Sequence, residues 1–311
     1  MNYKRPKILF SGHLETIYPA LFRKVKDITY KRERIHTPDG DFLDLDWVKN
    51  GSKSLVIISH GLEGSSDRAY MKGMARIMAN HQYDVLAWNY RGCSEEMNKQ
   101  LRFYHSGATD DLDLVVAHAK DKGYDEINLV GFSLGGNLTL KYLGEKKRPE
   151  IHRAITFSVP LDLHSSCDQI SKPGNVLYSN RFLRNLKKKV RQKAQQMPEL
   201  KTNDLHKIKT LIDFDDQYTA PIHGFKNAVH YYESCSAIGF LENIKIPTLI
   251  VNAANDPFLS DECYPRELLK DHRYVKLEVP RHGGHVGFAS FSGDNTFWSE
   301  KRALHFIDTG K

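Results

Sequence analysis

The run Gly131-Phe132-Ser133-Leu134-Gly135 has the residue types and spacing that most directly suggest chemistry. A serine stands two positions from a glycine on either side, after the apolar run INLV and before the helical pattern GGNLTLKYLGEK (135–146). At a tight strand-to-helix turn a serine sits in a strained backbone, and small neighbours let the crossing backbones pass. The turn lifts its Oγ clear of the sheet, and the following helix aims its N-terminus at a developing oxyanion. A serine hydroxyl is a weak nucleophile at neutral pH, so a base and an orienting acid are required. With an elbow of this kind they follow in the order Ser, acid, His, each just beyond a later strand. Asp256 closes PTLIVNAAND, just past the strand pattern 247–254, and His285 lies in RHGGHVGF, just past VKLEVP (275–280). In these roles Asp256 accepts the imidazole N–H, while His285 takes the serine proton and returns it to the leaving group.

Each partner has a rival. Asp162 also follows a strand pattern, Asp261 lies five residues past Asp256, and His282 precedes His285 by three. Gly283 and Gly284 favour His285, which they would leave on a flexible loop tip with room to turn. No carboxylate or cysteine stands at ligand spacing from the two histidines, so a metal site is not expected. The stretch His60-Gly61-Leu62-Glu63-Gly64 directly follows the apolar run LVIIS (55–59), and its backbone can face the same crevice. The amides of Leu62 and Leu134 are therefore the candidate oxyanion donors. Neither a phosphate-binding G-x-x-x-x-G-K-[ST] loop nor H-E-x-x-H is present, and no G-x-G-x-x-G follows a strand, so no cofactor is expected.

Positioning these groups requires alternating elements. An early hairpin is predicted around Pro38-Asp39-Gly40, between RERIHT and FLDLDW. Strand patterns LVIIS (55–59), VLAWNY (85–90), INLVGFS (127–133) and AITFSVP (154–160) then alternate with helical patterns at 67–81, 107–123 and 135–146. The alternation resumes with PTLIVNAA (247–254), an ECYPRELLKD helix (262–271), VKLEVP (275–280) and a closing helix at 296–308. The fold class is α/β, a mainly parallel twisted sheet with helices on both faces. Between Pro160 and Pro247 the alternation stops and helical patterns take over. Residues 1–160 and 247–311 thus form the expected core, and 161–246 a helical cap or lid.

The 311 residues carry a formal net charge of +7, and that excess is local. Between Arg181 and Lys209 ten Lys/Arg face only Glu199 and Asp204. Leu183, Leu186, Val190, Ala194 and Met197 mark one helix face there, which places the cations on a solvated face. Segment 181–209 could alternatively touch an anionic membrane peripherally. No nucleic-acid signature accompanies it, so nucleic acid is not an expected partner. Cys93, Cys167, Cys235 and Cys263 are scattered without C-x-x-C spacing, which fits packing residues in a reducing compartment. No apolar run approaches the roughly 18 residues of a membrane span. The start MNYKRPKILF lacks the apolar stretch of a signal peptide, so a cytoplasmic location is expected; the expected assembly is a monomer or dimer.

With these motifs in place the chain resembles the α/β-hydrolases, and more narrowly the YheT-like group of hydrolases and esterases. The resemblance spans nearly the whole sequence. It rests on GHLETIYPALFR, SHGLEGSSDRAY (59–70), WNYRGCS (88–94), GFSLGGN (131–137), DDQYTAPIHGF (215–225), NAANDPF (252–258) and GGHVGF (283–288). It implies a carboxylic ester hydrolase acting on a small acyl ester, with some members acting on acyl-glycerols or phospholipids. It also places Ser133, Asp256 and His285 on the triad positions; Asn255 stands where relatives often carry a second Asp. Ester hydrolysis through an acyl-enzyme is the expected activity. Acyl transfer with the same triad, or ligand binding without turnover, are the alternatives.

Overall fold

Short aliphatic runs form eight strands of one sheet: β1 Lys31–His36, β2 Phe42–Val48, β3 Ser54–Ser59, β4 Asp84–Asn89, β5 Glu126–Phe132, β6 Ile151–Phe157, β7 Thr248–Val251 and β8 Val275–Glu278. The computed structural model describes residues 1–291 and 293–311. The order across the sheet is β1-β2-β4-β3-β5-β6-β7-β8. β2 runs antiparallel to both β1 and β4, while all pairings from β4 to β8 are parallel. This is the α/β-hydrolase arrangement. Gly40, at φ 79°, closes the β1–β2 turn, where its N–H donates to the Thr37 carbonyl at 3.0 Å.

The helices are α1 Gly12–Phe22, α2 Ala69–Asn80, α3 Thr109–Asp121, α4 Leu134–Glu145, α5 Leu163–Ser171, α6 Val176–Gln196, the short turns α7 Leu211–Phe214 and α8 Ala220–Ile222, α9 Ala228–Cys235, α10 Arg266–Leu269 and α11 Trp298–Thr309. Because strand side chains alternate, β3 serves both faces of the sheet. Leu55 and Ile57 pack with Val115 of α3 and Leu138 of α4, whereas Val56 and Ile58 pack with Met74 of α2 and Phe306 of α11. Burial on both sides explains why the central strands read as unbroken apolar runs.

Among the described residues no strand lies between β6 and β7; that stretch is helical, with a π-helical turn at Asp215–Thr219. Its own cluster joins Leu183 and Val190 of α6 to Leu211 and Phe214, with Phe103 and Phe258 contributed from outside it. Among the described residues no helix is long and apolar enough to cross a membrane.

Three departures from the sequence reading have physical causes. The helix expected over 262–271 is two fragments, a 3-10 turn at Asp261–Cys263 and α10. Pro265 disfavours helical backbone at the residue before it, and Tyr264 accordingly sits at φ −125°, ψ 64°. The second is α1, which the periodicity does not announce because it carries Pro19 inside and turns apolar side chains outward. The third concerns the basic stretch. Lys189 and Lys193 of α6 are buried, not solvated. Lys193 Nζ donates to the Asn98 side chain at 2.8 Å, to the Gln100 carbonyl at 2.7 Å and to the Asn98 carbonyl. Burial pulls its pKa down to about 8.

The start of α4 lies hard against the end of β3. A Cβ on Gly135 would meet the His60 carbonyl at 2.5 Å and the Ser59 carbonyl closer still. Both are backbone atoms and cannot swing aside. Gly135→Ala is expected to destabilise the protein by about 1–3 kcal/mol in urea unfolding; a change below about 0.5 kcal/mol would show that the two elements are free to separate.

Candidate active site

Three side chains far apart in the chain meet at the carboxyl edge of the sheet. Ser133, between β5 and α4, adopts φ 53° and ψ −119°, a backbone conformation that non-glycine residues rarely take. Its N–H donates to the Phe157 carbonyl at 2.9 Å, and its own carbonyl accepts from Gly136 and Asn137 at 2.9 and 3.1 Å. Gly131 has the complementary role, because a Cβ there would lie 2.6 Å from the Gly135 carbonyl.

His285 Nε2 lies 2.9 Å from Ser133 Oγ. Its Nδ1 lies 2.9 and 3.1 Å from the two carboxylate oxygens of Asp256. With the carboxylate accepting, Nδ1 carries the proton and Nε2 is free to accept from the serine hydroxyl. The Asp256 carboxylate is buried, and its Oδ1 also accepts from the Phe258 N–H at 2.9 Å. The Phe258 ring lies beside the imidazole, tilted by 32° with centroids 4.1 Å apart. The rivals lie elsewhere. Asp162 caps α5, accepting from the Ser165 N–H at 2.8 Å, and Asp261 opens the 3-10 turn. His282 keeps a buried Nδ1 without a hydrogen-bond partner among the described residues, and no hydrogen bond joins it to the serine there.

The loop carrying His285 is not the flexible tip that its glycines suggest. Gly284 N–H donates to Asn255 Oδ1 at 3.1 Å, His285 N–H to Thr16 Oγ1 at 2.8 Å, and Val286 N–H to Ser158 Oγ at 2.9 Å. Asn255 Nδ2 in turn donates to the buried Glu15 at 2.6 Å. The glycines admit close neighbours rather than motion: a Cβ on Gly283 would run into the Phe288 ring. Glu15, Thr16 and Asn255 thus support the histidine. Only their place inside the motifs GHLETIYPALFR and NAANDPF hinted at this.

The turn after β3 brings backbone amides to the same place. Gly61 lies close enough that a Cβ on it would sit 3.2 Å from the Ser133 Cβ. The amides on either side of Leu62 are occupied: Gly61 N–H donates to Tyr70 OH at 3.0 Å and Glu63 N–H to Tyr104 OH at 2.8 Å. Among the described residues nothing accepts from the N–H of Leu62 or of Leu134, the first residue of α4. His60 is fully buried, and that burial holds its pKa down at about 3, so the ring is neutral. Its Nε2 accepts from Tyr90 N–H at 3.3 Å, which leaves the Nδ1 proton for the Gly61 carbonyl at 2.8 Å. Glu63 holds φ 52° against strain, with Lys189 Nζ at 2.6 Å and Tyr104 OH donating at 2.8 Å. Burial alone would lower the Lys189 pKa; Cys93 and Glu63 beside it outweigh burial and raise it.

Two lobes open from the serine and share Leu62, Phe182, Phe258 and His285. One, of about 1070 Å³ including its mouth, runs among α5, α6 and α7 past Ile170, Leu186 and Phe214. The other, about 1380 Å³ including its mouth, lies between α1 and α6 along Ile17, Leu21 and Leu177. Among the described residues no cluster of His, Cys, Asp and Glu could hold a metal ion.

A family model described as serine aminopeptidase, S33, matches residues 50–275. The chain belongs to this α/β-hydrolase family. It is 34% identical over 286 residues to YheT of Escherichia coli (strain K12), spanning 89% of this chain and 84% of that protein. It is 30% identical to the phospholipase ABHD3 of Mus musculus, spanning 88% of this chain and 70% of the mouse protein. The Pyrococcus furiosus esterase Pf2001 shares the fold at a TM-score of 0.60 and 19% identity, covering 92% of this chain and 97% of that one. The Glu15–Asn255 contact pairs a carboxylate with an amide, so the two groups can be exchanged.

Glu15→Gln and Asn255→Asp each spoil that contact, the first by removing its charge and the second by setting two carboxylates 2.6 Å apart. The double variant restores a carboxylate–amide pair. Each single change is expected to lower ester turnover about tenfold or more, with recovery to within about threefold in the double variant. A double-mutant cycle on kcat/KM checks this, and additive losses would contradict it.

Proposed function

We propose that the protein is a serine hydrolase of carboxylic esters that works through an acyl-enzyme. The observation that carries this reading is the continuous hydrogen-bonded chain from Ser133 through His285 to Asp256. In it, Ser133 Oγ attacks the ester carbonyl carbon while its proton passes to His285 Nε2. The carbonyl oxygen becomes the tetrahedral oxyanion beside the unoccupied N–H groups of Leu62 and Leu134, with the positive end of α4 behind it. His285 then hands the proton to the departing alkoxide, leaving the acyl group on Ser133. Water enters, gives a proton to His285, attacks the acyl carbon, and the carboxylic acid leaves as Ser133 recovers its proton. Asp256 holds the Nδ1 proton and stabilises the imidazolium formed at each transfer. No cofactor takes part in this sequence.

The lobes suit a small-molecule ester with an apolar acyl chain. The lobe among α5, α6 and α7 is walled by Leu163, Ile170, Leu186 and Phe214 and takes the acyl group. In this reading the helices of 161–246 act as a cap over it. A free amino terminus, which an aminopeptidase must recognise, would need an uncommitted carboxylate nearby. The two acids that line the lobe are committed: Glu63 to Lys189, and Asp215 to Thr219 at 2.6 Å and Tyr232 at 2.7 Å.

The wild-type protein is expected to hydrolyse p-nitrophenyl esters and to leave aminoacyl p-nitroanilides intact. Ser133→Ala should lower ester turnover by about 10³-fold or more while leaving the thermal unfolding transition in place. Turnover retained in the alanine variant would place the nucleophile elsewhere, and preferential anilide cleavage would make the protein a peptidase.

A further inference from the structure

Helix α1 is amphipathic in the unusual sense. Its buried face carries Glu15 and Thr16, directed at the His285 loop, beside Pro19, while its outer face is apolar. Tyr18, Leu21 and Phe22 are exposed at 37, 60 and 65%, although burial of such side chains is what ordinarily holds a helix to its domain. The Tyr18 ring meets Phe22 at 5.3 Å and the exposed Phe291 at 5.5 Å, so the patch is continuous. His13 hydrogen-bonds Tyr178 at 3.1 Å, which joins α1 to the start of α6, where Leu177 is 75% exposed. Leu21 and Leu177 also line the second lobe beside the serine, so the patch surrounds a way into the site.

Charge decides what can cover it. Residues 1–26 hold six Lys/Arg and a single acidic residue, Glu15, which is buried; α6 holds seven Lys/Arg and no acid. Lys7, Lys24 and Lys26 flank α1 and Arg181 stands one turn past Leu177; all four are exposed and form no ion pair among the described residues. A second copy of the same face would set cation against cation. A surface that is apolar inside and anionic at its rim matches both features, and that is the make-up of a lipid layer with acidic headgroups.

We propose that the outer face of α1 and the first turn of α6 dock the protein on an anionic lipid surface, with the second lobe opening toward the lipid. The docking face is thus α1 with the start of α6, rather than the basic stretch 181–209 as a whole, whose Lys189 and Lys193 are buried. Docking goes beyond ester chemistry and does not require it.

The test is co-sedimentation of the full chain with phosphatidylcholine vesicles and with vesicles containing about 30% phosphatidylglycerol. Binding to the anionic vesicles is expected to be on the order of tenfold tighter and to weaken in high salt. Tyr18→Ser/Phe22→Ser should weaken it about tenfold or more on both vesicle types. Lys24→Glu/Lys26→Glu should remove the preference for the anionic vesicles alone. Both pairs lie on the surface outside the two lobes, so each variant should hydrolyse a soluble short-chain ester at the wild-type rate, which separates this claim from the catalytic one. Equal binding of the wild type to both vesicle types, unchanged sedimentation of the aromatic variant, or a lipid-free dimer that this variant dissolves would each overturn the proposal.

Discussion

A serine held at φ 53° is the constraint on which the remaining structure depends. Such a conformation costs of the order of 1–3 kcal/mol and survives only where its surroundings over-determine it. Here the surroundings are three parallel strands. β6 accepts the serine N–H through Phe157, the end of β3 leaves room only for a glycine at 135, and β5 delivers the turn itself. Parallel strands end on the same edge, so the turns after β7 and β8 bring Asp256 and His285 to that edge without a special path. The convergence of Ser133 with an acid and a base more than a hundred positions later is a consequence of sheet topology.

Precision at the site comes from supports that belong to other parts of the chain. Helix α1 precedes every strand, yet its Thr16 and Glu15 fix the backbone and the asparagine that hold the His285 loop, whose own element is among the last. Helix α6 sends Lys189 across to Glu63, the residue after Leu62, so the helices between β6 and β7 are tied electrostatically to the turn facing the serine. Both partners are nearly buried, and removing either would leave an uncompensated charge. His60 stays neutral because it is buried, which leaves its Nε2 free to accept from the Tyr90 N–H.

Much of this was legible in the sequence, and for identifiable reasons. Buried parallel strands read as aliphatic runs, and the glycines of 131 and 135 mark a place where backbone must meet backbone. The fold class and family were legible for the same reasons, together with the motifs around Ser133. What resisted reading depends on tertiary partners. Lys189 and Lys193 look like any solvated cations, since Glu63, Cys93 and the Asn98 and Gln100 acceptors, which make their burial tolerable, lie about a hundred residues away. The glycines before His285 suggest freedom, whereas Thr16, some 270 residues away, removes it. Pro265 broke a helix that the apolar spacing alone would extend, and α1 hid because its apolar face points outward.

The structure of the protein after inactivation by a fluorophosphonate tests whether Ser133, His285 and the two amides act together. A covalent bond from phosphorus to Ser133 Oγ is expected, with the phosphonyl oxygen within hydrogen-bond distance of the Leu62 and Leu134 amides and His285 still between the adduct and Asp256. An unmodified Ser133, or an adduct whose oxygen turns away from both amides, would contradict their joint action.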